Sequence, residues 1–360
     1  MKIFNKVFLS ALLFPTVSLA GVQVYGILDT AILGQKVKGE TATMDFTSGY
    51  SMGNRFGFKG QEELGGGYSV GFVLEQGFNV DTGTQFNTWS KNGVVQSGAF
   101  NRQSFLSLSG PFGKIAFGRF GALTCGTGDF NIARISAFGI GYQVGSYTSY
   151  TIDYSRVNNG IVYVSPSLNG LKISAAYSNG VTTDEAKWSE NSHYYGIGAL
   201  YTNKTVDASI IFESNDNKGS VGVKPIYTIT AGGSCNFGVT KLFAGYQYGS
   251  QKDKRQQHVF LLSSATPLAG GVLKFGGKYL TGKLDGKSVV KDKEDKYNSW
   301  NLNAAYEYPL SKRIMVYGFA GYADGGKLLS SSESIAASGL GFKAIRVNGW
   351  QAAIGLNHKF

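Results

Sequence analysis

Three histidines, His193, His258 and His358, and two cysteines, Cys125 and Cys235, are the side chains best suited to hold a metal or attack a substrate. Their spacing serves neither purpose. No cysteine or acid stands at ligand spacing from any histidine, so solvated or interfacial imidazole is the reading, and neither a metal nor a cofactor is expected. The glycine-rich stretches "GGGYSVG" (65–71) and "GIGYQVG" (139–145) do not lie between a strand and a helix, so they are turns and not phosphate loops. No helix reads as long enough to carry a catalytic pair, and no nucleophile stands beside a base on a rim. What remains is charge. Lys and Arg number 34 against 23 Asp and Glu, a formal net charge of +11. The basic residues are spread over alternate positions and loops such as "QKDKR" (251–255), with acids interleaved. That pattern suits a pore lining and an external surface better than a nucleic-acid groove.

Charges so scattered must be positioned by strands. In "RFGFKGQEELGGGYSVGFVLEQGF" (55–78), Tyr68, Val70, Phe72, Leu74 and Phe78 share one parity, while Ser69, Gly71, Val73, Glu75 and Gly77 share the other. Period two means strand. In 297–308, Trp300, Leu302, Ala304, Tyr306 and Tyr308 oppose Ser299, Asn301, Asn303 and Glu307; in 271–281, Leu273, Phe275 and Tyr279 oppose Lys274 and Lys278. In 349–360, Trp350, Ile354, Leu356 and Phe360 oppose Gln351, Asn357 and Lys359. A soluble sandwich would need bulk on its second face to fill a core. Here that face is small or polar and suits water, so the greasy face looks outward to lipid. No stretch after the N-terminus approaches the roughly 18 apolar residues of a membrane helix. A membrane-spanning chain of this kind must close into a barrel, where every backbone group is paired.

Corners at 62–67, 109–113, 165–170, 202–205, 235–238, 266–271 and 308–313 are tight. They alternate with longer polar stretches at 33–51, 79–100, 121–153, 179–192, 215–222, 251–257, 282–295 and 324–346. Fifteen connections join sixteen antiparallel strands, short on one side and long on the other, as in outer-membrane barrels. Sixteen strands enclose an aqueous channel. The stretch 121–153 is far beyond ordinary connection length, and Phe130, Ile132, Ile135, Phe138, Ile140 and Tyr142 give it apolar side chains to pack. Inside a wide barrel the wall is what such a loop can pack on. Residues 1–20, with Lys2, Lys6, an apolar run and Ser18-Leu19-Ala20, read as a leader cleaved after Ala20, leaving 21–360 as one barrel domain and lowering the charge to +9. Cys125 and Cys235 fall at opposite rims. A band about 25 Å tall separates them, so no disulfide is expected.

"GNRFGFKGQEELGGG" (53–67), "SGPFGKIAFGRF" (109–120), "RVNNGIVYVSPSLNGLKISAAYSNG" (156–180) and the terminal "GLNHKF" (355–360) resemble the Gram-negative general porins, above all their neisserial and β-proteobacterial branch. The resemblance implies a homotrimer of sixteen-stranded barrels in the outer membrane of a Gram-negative bacterium, exported by a signal peptide. It implies that the third external loop folds into each channel as a constriction. It matches Arg55, Arg119 and Arg156 to the family's basic wall positions, and Arg102 to one commonly basic in that branch. Glu75 and Asp29 match inward carboxylates, and the inserted loop offers Asp129, Asp153 and Arg134. Ile27 stands where lysine is found elsewhere in the family. Phe360 is similar to the signal read by the outer-membrane assembly machinery. The implied function is passive diffusion of small hydrophilic solutes and inorganic ions with moderate anion preference. A solute-specific channel for sugars, phosphates or nucleotides is the alternative, left open by Tyr142, Tyr147 and Tyr150. An enzyme or adhesin anchored on the barrel is the more distant one, and no nucleic-acid partner is implied.

Overall fold

The computed structural model describes residues 21–85, 90–91, 94–95, 98–181, 190–216, 224–284, 296–324 and 348–360. The leader expected at 1–20 lies outside them, as do parts of the loops expected at 79–100, 179–192, 215–222, 282–295 and 324–346. The described strands are β1 (Gln23–Val37), β2 (Thr43–Ser48), β3 (Arg55–Gly65), β4 (Tyr68–Gly77), β5 (Ser90–Lys91), β6 (Val94–Val95), β7 (Gln103–Gly110), β8 (Gly113–Gly121), β9 (Arg156–Val164) and β10 (Leu171–Asn179). They continue as β11 (His193–Thr202), β12 (Val206–Asn215), β13 (Ile226–Asn236), β14 (Lys241–Gln251), β15 (Arg255–Leu268), β16 (Gly271–Leu284), β17 (Lys296–Pro309), β18 (Ile314–Asp324) and β19 (Gly349–Lys359).

β5 and β6 form a separate small hairpin. The other seventeen strands make one antiparallel sheet, and β19 pairs back onto β1 to close it. β2 pairs with Thr30–Gln35 of β1 and β3 with Gln23–Ile27. These two are therefore halves of one interrupted wall strand, and the barrel has sixteen.

Alternation sets the faces as expected. On β17 Trp300 and Leu302 are exposed outward at 39 and 50 %, while Ser299, Asn301 and Asn303 are buried inward. On β19 Ile354 is 75 % exposed and Asn357 is fully buried. Cys125 and Cys235 are both free thiols.

Three features depart from the sequence reading. First, 33–51 is not one long loop: β1 runs to Val37 and β2 starts at Thr43, leaving only 38–42 as the corner. Likewise 251–257 is a tight turn, with Gln251 paired to Arg255. In both places the strand ladder continues where the alternation is too short or too weak to read, so hydrogen bonding persists past it.

Second, residues 49–54, between β2 and β3, leave the wall and turn inward. Tyr50, 2 % exposed, packs edge-on against Tyr142 and Phe319, and Tyr50 O accepts from Tyr142 N at 2.6 Å.

Third, the inner face is not uniformly polar. Ile211, Val259, Leu261, Leu280 and Phe319 point inward and are buried. The protein's core lies there, between wall and loop.

Candidate functional site

Residues 122–155 connect β8 to β9, within one or two residues of the loop bounds read from sequence. They seat on three apolar patches of the inner wall. Leu123, Phe130, Ile132, Ile152 and Tyr154 pack with Phe105, Phe120, Tyr194 and Ile211. Ile135, Tyr147 and Tyr150 pack with Val259, Leu261, Leu280 and Tyr297. Phe138, Tyr142 and Val144 pack with Tyr50, Tyr317 and Phe319. Each fully buried aliphatic or aromatic side chain contributes about 1.5–3 kcal/mol. Gly249 on β14 shows how the wall makes room: a Cβ there would meet Ile152 Cδ1 at 2.2 Å.

Polar contacts fix the same seat. Gln247 accepts from Ile152 N at 2.6 Å and donates to Ile152 O at 3.1 Å. Gln257 donates to Tyr150 O at 3.2 Å, and Ser263 Oγ accepts from Ala137 N at 2.9 Å. Lys278 Nζ, buried, donates to Val144 O and Ser149 Oγ, each at 2.8 Å, and to Ser146 O. Asn301 adds a second bond to Val144 O. Glu213, fully buried, accepts from Thr124 N at 3.2 Å, Thr124 Oγ1 at 2.5 Å and Tyr194 OH at 2.7 Å. Burial pushes the phenols of Tyr142, Tyr147 and Tyr150 up, so they remain neutral. Tyr142 donates to Glu307 and Tyr147 to Thr124 O, and Tyr150 accepts from Ser299. All three are buried among these contacts instead of forming an aromatic path for a solute.

The charges expected at the gap separate into groups. Arg102 and Glu75, each 3 % exposed, form an ion pair at 2.6 Å, and Tyr25 OH donates to the other Glu75 oxygen at 3.1 Å. Arg55 shares the inward face of β3 with Gly57, the partner of Glu75, and donates to Gly53 O at 2.9 Å. Arg156 donates to Thr127 Oγ1 at 2.7 Å and lies within electrostatic range of Arg55, Arg102 and Arg119. Like charges within range repel, and the Glu75 carboxylate relieves the cost.

Arg119 differs. It shares its parity with Phe117, 52 % exposed on the outer face, and not with the fully buried Ala116 and Phe120. Its guanidinium is used on Asn101 O at 2.7 Å and Asn158 Oδ1 at 2.5 Å.

A cavity of about 240 Å³ lies between residues 49–54 and the loop, bordered by Arg102, Arg156, Asp153, Cys125, Thr127 and Gly53. Among the described residues, Arg102 Nη2 and Arg156 Nε have no hydrogen-bond acceptor. Asp153, which also accepts from Ser155 N at 2.8 Å, supplies the acid on the loop side. Three other expected charges stand apart. Asp129 is exposed and exchanges hydrogen bonds with Gln103 at 3.0 and 3.2 Å. Arg134 donates to the loop's own carbonyls at Asn131 and Ala133. Asp29 is fully buried and accepts from Ser51 N, Met52 N, Tyr317 OH and Asn357 Nδ2 at 2.9–3.2 Å. It clamps the inward excursion and faces no solute. Phe360 exchanges backbone hydrogen bonds with Gly26 at 3.1 Å in each direction.

Sequence reasoning had no role for Lys278, Glu213, Gln247 or Tyr50, although alternation in "SIIFESN" (209–215) was enough to turn Glu213 inward.

Residues 8–328 match the family model of Gram-negative porins. An outer membrane porin of Bordetella pertussis is 26 % identical over 379 aligned residues, covering 88 % of this chain and 92 % of the relative. Among solved structures, the anion-selective porin from Comamonas acidovorans superposes with a TM-score of 0.67 at 23 % identity, covering 95 % of this chain and all of that one. OmpT of Vibrio cholerae, solved in a trimer form, does so with a TM-score of 0.65 at 14 % identity, covering 95 and 99 %. These last two are likenesses of fold.

Proposed function

Since the chain belongs to the Gram-negative porin family and forms a passive channel in the outer membrane, we propose that small hydrophilic solutes and ions cross it at the cavity between residues 49–54 and the loop 122–155. Arg102, Arg156 and Asp153 line that space together, and this juxtaposition carries the reading. Arginine stays charged across ordinary pH, so the gap holds a fixed transverse field, and charges lining a pore set its ion preference. With Arg55 inward beside them, the basic groups outnumber the acids, and the net positive charge of the chain draws anions toward the mouth. The channel prefers anions moderately, and the porin from Comamonas acidovorans that shares its fold is anion-selective. It acts as one barrel domain over 21–360 after removal of a leader at 1–20, assembles as a homotrimer, and performs no enzymatic step. Phe360 serves as its signal to the outer-membrane assembly machinery.

The test is the reversal potential of the purified channel across a planar bilayer in a salt gradient. The expected sign is anion-selective, and the preference weakens between 0.1 and 1 M salt, where the Debye length falls from about 10 to about 3 Å. Arg102→Gln with Arg156→Gln moves the potential toward cations without closing the channel. A cation-selective wild type would overturn the reading. An unchanged potential in the double variant would remove these two arginines from the path.

A further inference from the structure

Cys125 is a thiol that the diffusion function leaves unused. It is 4 % exposed and borders the same cavity as Arg102, Arg156 and Asp153. Its Sγ lies 3.8 Å from Thr127 Oγ1, and that hydroxyl accepts from Arg156 Nη2 at 2.7 Å. Arg55 and Arg119 are also within electrostatic range of the sulfur. Against these cations stand Asp153 across the cavity and Tyr147, kept neutral by burial. The thiolate is the nucleophilic form of cysteine, and cations around the cavity draw an anionic reagent toward the sulfur. The second observation points to what the thiolate would meet. Arg102 is 3 % exposed, and among the described residues neither its Nη2 nor Arg156 Nε has an acceptor. Buried guanidinium hydrogens without a partner suit the oxygens of a sulfonate or carboxylate.

We infer that Cys125 is a modification site for small anionic disulfides and thiosulfonates, held by their acid group on Arg102 and Arg156 while the sulfur reacts. The thiol proton leaves to water. The thiolate attacks the sulfur–sulfur bond of the reagent, a new disulfide forms to Cys125, and a thiolate or sulfinate departs with the electron pair of the broken bond. The cavity of about 240 Å³ has the volume of about eight waters at about 30 Å³ each, enough for a two-carbon sulfonate. The adduct places a negative charge beside the arginines and fills part of the gap. Its effect on current rests on the function proposed above, whereas its formation does not.

The probe is the sulfonatoethyl methanethiosulfonate, compared with its trimethylammonium analogue, on the folded Cys235→Ser barrel, in which Cys125 is the only thiol. Peptide mapping by mass spectrometry is expected to place the adduct on Cys125 of the folded protein. The anionic reagent should react roughly tenfold faster than the cationic one, the low end of electrostatic steering. Labelling only after unfolding, or faster labelling by the cation, would overturn the site. In bilayers the adduct should move the reversal potential toward cations, and a thiol reductant should restore it; the Cys125→Ser, Cys235→Ser double variant should not respond. A labelled channel with an unmoved potential would refute the effect on current. If the unlabelled channel lacks anion preference, the selectivity reading fails, while the labelling result still decides the thiol.

Discussion

Two segments leave the barrel wall and turn inward, and they are held in opposite ways. Residues 122–155 rest on three apolar patches that reach from β4 round to β19 and onto β1. Residues 49–54 are short, and their main anchor is one fully buried carboxylate, Asp29, with four donors. The long segment's hold is redundant, because losing one patch leaves two. The short segment's hold is more concentrated, because Ser51 N and Met52 N share the one carboxylate that also ties Tyr317 and Asn357 of the wall. Tyr50 joins them through Tyr142 and Phe319, so the gap keeps its width only while both stay seated.

Substitution can break this contrast. Asp29→Ala is expected to have the largest effect. Removing the acceptor strands buried donors at about 1–3 kcal/mol each, so the barrel should lose about 4 kcal/mol, seen as a lower urea midpoint for unfolding in detergent. Single-channel current should become larger and noisier as 49–54 detaches. A quiet wild-type current in this variant would show that the short segment has another anchor. Ile135→Ala comes next, at about 3 kcal/mol for a buried aliphatic truncation, with conductance unchanged because the other two patches hold. A conductance that rises as much as in Asp29→Ala would refute redundancy. Lys278→Met should have the smallest effect, within about 1 kcal/mol, since an apolar side chain of similar size often replaces a buried charge at little cost. Added current flicker without a midpoint shift would assign Lys278 to holding Val144 and Ser149 in register, not to stability.

The wall was legible in the sequence because lipid and water lie on opposite sides of it. Where they do, as in 297–308, period two resolves both faces and the strand count follows. It fails in "HVFLLSS" (258–264): Phe260 and Leu262 meet the outside while Val259 and Leu261 meet the loop, so both faces are apolar and nothing alternates. The inner seat was therefore invisible until the loop was in place. The 49–54 excursion was missed for a related reason. Only Met44 and Phe46 mark the outer face of β2, too few to tell strand from loop. Among the charges, parity placed Glu75 and Asp29 inward correctly. It could not tell a carboxylate paired beside a gap from one sealed by four donors, because that depends on residues up to 328 positions away. Arg119 was matched through its "FGRF" motif; its backbone shares the outward parity of Phe117, while its guanidinium stays within electrostatic range of Arg156.

The hydrogen bonds between Gly26 and Phe360 join the wall near the start of β1 to the residue just past β19. A Cβ at Gly26 would strike the Phe360 ring at 2.2 Å, so the seam is shaped for this meeting. Pairing so remote in sequence is the slowest kind to form, and until it forms β1 and β19 are open edges able to pair with the wrong strand. While those edges are apart the sheet is an open trough that leaves its interior accessible to the loop 122–155, and pairing of β1 with β19 encloses it.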